Sequence, residues 1–332
     1  MAKRDKLTQR QKRQVIKQQQ QRIKNTQSIP GSDNLSQAYN GLLISRYGEQ
    51  ADVLRLDNQQ KYRCHLRQNL GALVTGDKVS FRLSTDNHGV VEAIHERESL
   101  LERPSVHQGL KPVVANINQV FVVIAPLPDF SATLLDRYLV AIRDANINTI
   151  IVANKWDLQT EIEQQSIAQQ LTIYRQLEYP IIQLSTKTSE GISQLKQMSL
   201  NKQSILVGQS GVGKSSIINQ LFPNQTSLVN SVSDNSRLGQ HTTTASQLFL
   251  FENNQGFIVD SPGIRDFGLW HMEPHTVAAG FIEFSPYLGS CKFRDCKHIN
   301  EPGCEIIKAV KAEKINIRRW NSYCKIALTP QE

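Results

Sequence analysis

A turn built on Gly208, Gly211 and Gly213 and closed by Lys214 and Ser215 constrains this chain more than any other stretch. It follows the β-branched run Ile205-Leu-Val207 and precedes Ser216-Ile-Ile-Asn-Gln-Leu221, so the order is strand, glycine-rich turn, helix. Gly208, Gln209, Ser210, Gly211, Val212, Gly213, Lys214, Ser215 and Ser216 match the G-x4-G-K-S phosphate loop. A polyphosphate needs backbone N–H groups aimed inward, and glycine lets the main chain curl that tightly because no Cβ intervenes. Lys214 then meets the terminal phosphates as a point charge, and the Ser215 hydroxyl is placed to ligate Mg²⁺. The N-terminus of the helix that follows adds a favourable dipole for the anion.

A chain of 332 residues has room for two or three compact domains around such a loop. No apolar run approaches the length of a membrane span, and the N-terminus has no apolar core of the kind a signal peptide needs. The expectation is a cytoplasmic protein with no membrane partner. Five cysteines without a secretion signal do not read as a disulfide scaffold; a reducing compartment leaves them free for metal. The net charge of +8 is concentrated at one end: residues 1–30 hold nine Lys and Arg against Asp5, 9 − 1 = +8, so the rest is neutral in sum. Segment 1–35 is rich in Gln and too poor in apolar residues to bury a core, and a basic arm of this kind seeks nucleic acid.

From Gly41 to Glu98 short alternating runs follow one another: Gly41–Tyr47, Ala51–Leu56, Lys61–Leu66, Asp77–Leu83 and Val90–Ile94, separated by turn signals such as Asn87-His-Gly89. Five strands in about sixty residues predict a small barrel of the oligonucleotide-binding (OB) type, and an SH3-like barrel fits the count almost as well. Arg55, Arg63, Arg67 and Arg82 with Tyr47, Tyr62 and Phe81 would suit an outward RNA-binding face. Glu98–Pro104 reads as a linker. Beyond it, Gln119–Ala125 and Thr149–Ala153 are nearly continuous apolar runs, as strands buried on both faces of a parallel sheet must be. Helical periodicity over Leu134–Arg143 and about Thr160–Gln176, then strands at Ile181–Leu184, Gln247–Phe251 and Gly256–Asp260, complete a doubly wound α/β nucleotide-binding domain.

Asn154, Lys155, Trp156 and Asp157 follow a buried strand, at the edge where open α/β sheets bind ligands. A carboxylate there accepts both the N1–H and the 2-amino hydrogens of guanine, a donor pair that adenine lacks, so Asp157 would select guanine. Asn154 would tie the base-binding loops together, and the Lys155 stem would cover the ring. Ser185, Thr186 and Lys187, after the next strand, are placed to offer backbone N–H groups to the guanine oxygen. Asp260-Ser-Pro-Gly263 ends a strand, as required of a carboxylate that holds Mg²⁺ through water and a glycine that senses the terminal phosphate. His241-Thr-Thr-Thr244 offers threonines for a mobile first switch, with Thr243 as a magnesium ligand. Ordinary GTPases run phosphate loop, switch threonine, Asp-x-x-Gly, Asn-Lys-x-Asp, serine loop; here the last two come first.

Near the C-terminus, Cys291-x4-Cys296-x-His298-x5-Cys304 supplies three thiolates and an imidazole among turn formers, sufficient for a closed tetrahedral Zn²⁺ site. Four protein ligands leave no open position, so the site reads as structural, with Cys64 and Cys324 outside it. A helical stretch with Lys308, Lys311, Lys314, Arg318 and Arg319 follows, whose basic face would suit nucleic acid, while Ile306, Ile307, Val310 and Trp320 pack it. The predicted division is a basic arm (1–35), an OB-type barrel (36–100), a permuted P-loop domain (101–270) and a zinc-binding, mostly helical domain (271–332). Because the segment after Asp260 runs straight into the last of these, nucleotide state is expected to reposition it by a hinge.

The permuted order, the arm, the barrel, Gly239-Gln-His-Thr-Thr-Thr244 and the cysteine cluster together closely resemble the circularly permuted GTPases of the RsgA (YjeQ) family over essentially the whole chain. The resemblance implies a GTPase stimulated by the small ribosomal subunit and its rRNA. It would act late in that subunit's maturation, with hydrolysis to GDP and phosphate driving release of the factor. Other assembly factors are further partners, and the chain is expected to be a monomer. Gln240 departs from the Arg expected of the family, which leaves one phosphate or RNA contact without its residue. In Ras-like enzymes a glutamine after Asp-x-x-Gly orients the attacking water. Ile264 stands there and cannot hydrogen-bond, so intrinsic hydrolysis should be slow and His241 is the candidate to replace it. A nucleotide-gated RNA-binding protein, in which turnover is incidental, is the competing reading.

Overall fold

The computed structural model describes residues 36–67, 70–84, 88–105, 109–127, 130–158, 160–223, 246–252, 255–261 and 272–328. The basic arm 1–35 lies outside the described residues. The chain divides into two compact units, one holding the barrel through Leu100 with Val114–Asn116 and Ala245–Leu248, the other the remainder.

In the first unit β1 (Tyr39–Tyr47), β2 (Gln50–Arg55), β3 (Lys61–Leu66), β4 (Lys78–Leu83) and β5 (Gly89–Ile94) close into a barrel in the order 1-2-3-5-4. β3 and β5 run parallel and the other pairs antiparallel. This Greek-key closure is the OB arrangement rather than the SH3-like alternative. Leu43, Val53, Cys64, Val79, Phe81 and Val91 fill the interior. Gly89 admits no side chain, because a Cβ would stand 2.2 Å from Cys64 Sγ. One expectation for the outer face is corrected. Phe81 is fully buried, since alternation along β4 cannot send both Phe81 and Arg82 outward. The four arginines are each matched to a carboxylate: Arg55 to Asp57 (2.6 Å), Arg63 to Asp52 (2.5 Å), Arg67 to Glu92 (2.9 Å) and Arg82 to Glu92 (3.0 Å). Tyr47 alone of the three aromatics is largely exposed, with the Arg63 guanidinium 5.0 Å from its ring.

The stretch read as a linker is a hairpin of β6 (Leu100–Ser105) and β7 (Gly109–Ala115). The nucleotide domain then runs β8 (Gln119–Ile124), α1 (Ala132–Asp144), β9 (Asn148–Ala153), α2 (Glu161–Gln176), β10 (Ile181–Gln183), α3 (Ile192–Ser199), β11 (Lys202–Val207), α4 (Lys214–Leu221), β12 (Gln247–Leu250) and β13 (Gly256–Asp260). The six-stranded sheet has the order β10-β9-β8-β11-β13-β12. Its five strands from β10 to β13 are mutually parallel. Every residue of central β8 is buried, which explains its unbroken apolar run. The strand order reverses between β8 and β11, and the loops leaving β9, β11 and β13 emerge at one edge there.

α5 (Pro274–Gly280), a 3-10 segment (Ile282–Tyr287), α6 (Glu305–Lys311) and α7 (Ile317–Ala327) complete the chain. They pack onto the nucleotide domain through a buried charge network. Arg319, expected on a basic outer face, is fully buried instead. Its guanidinium forks onto Glu283 (2.7 and 3.1 Å) and pairs with Asp136 of α1, whose Oδ1 also accepts Tyr174 OH at 2.6 Å. Arg318 also turns inward, its guanidinium 5.1 Å from the Tyr174 ring. Lys308, Lys311 and Lys314 do remain exposed, with Lys308 bonded to Glu305. Gly280 of α5 presses against Val140 of α1, where a Cβ would stand 2.6 Å from Cγ1. The hinge expected after Asp260 therefore has to work against a second, buried attachment through α1.

Arg319→Ala leaves two buried carboxylates facing each other without a cation, and is expected to destabilise this unit by about 3–5 kcal/mol. Urea denaturation measures it. A loss below about 1 kcal/mol, the size of a solvated surface pair, would show that the network is no structural joint.

Candidate nucleotide and metal sites

The phosphate loop leaves β11 and enters α4 through a backbone that side chains would block. Gly208, Gly211 and Gly213 take φ of +143°, +85° and +98°. A Cβ on Gly208 would stand 2.3 Å from the Val123 carbonyl oxygen, and one on Gly213 2.3 Å from Asn154 Nδ2. Lys214 Nζ donates to the carbonyls of Gly208 (2.7 Å) and Gln209 (2.8 Å), so the ammonium bends back over the turn. The loop's Ser210, Gly211, Ser215 and Ser216 are exposed, whereas Val212 is buried as the anchor of the turn.

Asn154, buried after β9, fastens the neighbouring loop to this one: its Nδ2 donates to Val212 O at 2.8 Å. Its Oδ1 is buried with no partner among the described residues, an acceptor whose desolvation is uncompensated until a donor reaches it. Lys155 takes φ +57° and donates to Leu127 O at 2.9 Å. Trp156 and Asp157 lie in a 3-10 turn, with Asp157 exposed, and Ser185 Oγ donates to Asp157 Oδ1 at 2.6 Å. That bond holds the carboxylate in one orientation. The expectation for the serine loop is narrowed here. Ser185 N–H donates to Glu190 O (3.1 Å), and Lys187 N–H donates to Ser185 Oγ (3.2 Å). Thr186 alone of the three keeps an N–H without an acceptor among the described residues. Sequence reasoning missed that the Ser185 hydroxyl orients Asp157, because nothing in the chain brings residues 28 apart together until β9 and β10 pair.

Ser215 Oγ donates to Asp260 Oδ2 at 3.4 Å, which joins the two oxygen donors expected around Mg²⁺. Burial holds the Asp260 carboxyl above the ordinary carboxylate range, with Lys214 and Ser215 pulling it down. A cation would relieve that cost, so the donor set fits the metal. His241, Thr243 and Gly263, with Gln240 and Ile264, lie outside the described residues.

The second site is the cysteine cluster. The ligand atoms of Cys291, Cys296, His298 and Cys304 lie within 4.8 Å of one another. Cys291 Sγ is 3.8 Å from Cys304 Sγ, and His298 Nδ1 is 3.4 Å from each of them. A tetrahedron with Zn–S of about 2.3 Å and Zn–N of about 2.0 Å has edges of about 3.8 Å (S···S) and about 3.5 Å (S···N), so these residues fit such an ion. His298 sits at φ +59°, and burial lowers its pKa, favouring the neutral imidazole that a metal needs. The Glu301 carboxylate accepts the N–H groups of Lys297 (3.1 Å), Ile299 (3.0 Å) and Asn300 (3.1 Å) and holds the loop's shape. From α7, Trp320 Nε1 donates to His298 O (2.9 Å) and Tyr323 OH to Lys297 O (2.5 Å). Cys64 stands apart in the barrel core, where burial pushes its thiol up to about 12.

Comparison with known proteins matches this geometry to a family. Residues 94–270 fit the model of the RsgA GTPase. The small ribosomal subunit biogenesis GTPase RsgA of Pectobacterium carotovorum subsp. carotovorum (strain PC1) is 46% identical over 329 residues, covering 97% of this chain and 94% of that protein. The chain belongs to the RsgA GTPase family. Among solved structures, YjeQ from Thermotoga maritima superposes with a TM-score of 0.71 at 30% identity, over 87% of this chain and 97% of that one. YloQ, described as a circularly permuted GTPase, does so at 0.65 and 25% identity, over 90% of this chain and 96% of that one. GTP hydrolysis is the activity of the RsgA family, and the permuted motif order is its architecture.

The raised Asp260 pKa yields a test. Asp260→Asn removes a carboxylate whose ionised form is penalised by burial, so it should raise the thermal midpoint of the nucleotide-free protein at pH 7. The gain should vanish as pH falls below the unfolded carboxylate pKa, where wild type is protonated in both states. GTP binding in Mg²⁺ should be lost in the same variant. Calorimetry across pH checks both, and a lowered midpoint at pH 7 would contradict the burial argument.

Proposed function

We propose that this chain binds GTP with Mg²⁺ at the β9–β11–β13 edge and hydrolyses it on the small ribosomal subunit. It would assist late maturation of that subunit and leave it once GTP is spent. The observation that carries the reading is the bond from Asn154 to Val212, which makes the guanine-reading and phosphate-holding loops one unit. The relatives named as small ribosomal subunit biogenesis GTPases supply the partner.

Within this reading Gly208–Ser216 cradle the phosphates, and Lys214 neutralises charge on them. Asp157, held by Ser185, accepts two guanine donors, while Lys155 and Trp156 flank the base. Ser215, Asp260 and Thr243 are the magnesium ligands, and Gly263 senses the terminal phosphate. Mg²⁺, when bound, offsets the charge that spreads over the transferring phosphoryl oxygens. Water positioning falls to His241, since Ile264 has no hydrogen-bonding group. Cys291, Cys296, His298 and Cys304 hold one structural Zn²⁺. The arm 1–35 contacts rRNA phosphates, its charge supplying salt-dependent affinity. The protein works as a cytoplasmic monomer alongside other assembly factors; no helix among the described residues is long and apolar enough to cross a membrane.

Turnover measured with and without small subunits tests the function. Lys214→Ala should abolish tight GTP binding. His241→Ala should bind GTP almost normally yet lose about 10²–10⁴-fold of subunit-stimulated kcat, the range for a positioned water-orienting group. Full stimulated turnover in His241→Ala would move that role to another residue or to the RNA, and an absence of stimulation in wild type would remove the subunit from the proposal.

For the metal, stoichiometric zinc should co-purify, and Cys296→Ser should release it and expose residues from about 290 onward to protease, with GTP binding retained. Retention of zinc in a Cys291→Ser/Cys304→Ser double variant would refute the assignment.

A further inference from the structure

Gln220 belongs to none of the motifs above. It stands on the exposed side of α4, and its Nε2 donates to the Thr186 carbonyl at 3.0 Å. We propose that Gln220 is a positioning residue for base recognition: it clamps the serine loop from the phosphate helix so that the Thr186 N–H is aimed at the 6-oxo group of guanine. The inference rests on the guanine site proposed above.

The peptides on either side of that N–H are both held at each end. In the Leu184–Ser185 peptide, the carbonyl accepts Trp156 N–H (3.1 Å) and the N–H donates to Glu190 O (3.1 Å). In the Thr186–Lys187 peptide, the N–H donates to Ser185 Oγ (3.2 Å) and the carbonyl accepts Gln220. The peptide between them carries the Thr186 N–H, which is therefore oriented by its neighbours and has no acceptor among the described residues. Gly191 closes the loop at φ +72°, where a Cβ would stand 2.1 Å from Gln183 O. Three of the four clamps come from within the base-binding segments; only Gln220 comes from the helix that begins at Lys214. With the Asn154–Val212 bond it makes a second tie between the phosphate element and a base-reading loop. Gln220, Thr186, Lys187, Ser216 and Asn219 line an open cavity of about 520 Å³, so Gln220 is altered without disturbing the core.

A donor fixed at this point accepts a 6-oxo purine and opposes a 6-amino one, which presents hydrogens where a lone pair is required. The triphosphate of 2,6-diaminopurine riboside keeps the 2-amino group but carries an amine in place of the oxygen and lacks the N1–H, so the change in the GTP-to-analogue ratio between wild type and Gln220 variants, Asp157 being intact in all of them, isolates that contact in the full-length protein. Gln220→Ala should weaken GTP by about 2–10-fold, the span of one hydrogen bond, and change the analogue by less than about 2-fold, so that discrimination shrinks. Gln220→Arg, which keeps a donor, should restore part of the discrimination. Equal weakening of both nucleotides, or an unchanged ratio, would overturn the inference. Asp157→Asn serves as the control: it should shift preference from GTP toward XTP, because the amide presents donors to N1–H and the 2-amino group. If it does not, the guanine site itself is misplaced; if it does while Gln220→Ala leaves the ratio unchanged, the clamp alone fails.

Discussion

A Cβ on Gly213 would stand 2.3 Å from the Asn154 amide, and much of the arrangement of the nucleotide loops follows from that close approach. The glycine has no Cβ to displace the amide, and the amide uses the room to bond Val212. A buried hydrogen bond of this kind contributes only about 1 kcal/mol net, whereas removing one partner strands the other at a cost of about 1–3 kcal/mol. The contact is therefore more a geometric requirement than a source of stability. It holds the loop after β9 against the loop after β11 although more than fifty residues separate them in the chain. Permuting the motifs leaves this intact, because parallel strands deliver their loops to one edge whatever order the chain visits them in.

The same logic places the metal module. Arg319 brings together a carboxylate from α1, another from the 3-10 segment and the rings of Phe281 and Tyr174. A buried ion pair is weak evidence of stability, since hydrophobic replacement is often neutral. The bidentate fork on Glu283 does restrict orientation, because a planar guanidinium meets a carboxylate in few ways. α7 also carries Trp320 and Tyr323, which hold the carbonyls of His298 and Lys297. One helix thus sets the cysteine–histidine loop relative to α1.

The barrel resolves its charge internally. Arg55, Arg63, Arg67 and Arg82 each have an acidic partner on the same or a neighbouring strand or turn, as cross-strand pairing favours. Uncompensated positive charge belongs instead to residues 1–30, whose excess equals that of the whole chain. The excess positive charge of the chain therefore resides in the arm, and Tyr47 is exposed on the barrel.

What the sequence determined by itself were the features whose chemistry is local. The strand–turn–helix of the phosphate loop, the clustering of Cys291, Cys296, His298 and Cys304 and the five short strands each declare themselves within a few residues, because turn geometry, residue spacing and side-chain alternation are short-range constraints. Tertiary structure decided the rest. Arg319 reads as a surface cation until Asp136, 183 residues away, is packed beside it. Phe81 and Arg82 read as one face until barrel closure assigns alternate sides. Ser185 and Gln220 read as ordinary polar residues until parallel pairing and the seating of α4 bring their hydrogen bonds within reach. Burial and long-range polar pairing depend on which elements meet, and a local pattern carries no record of its distant partner.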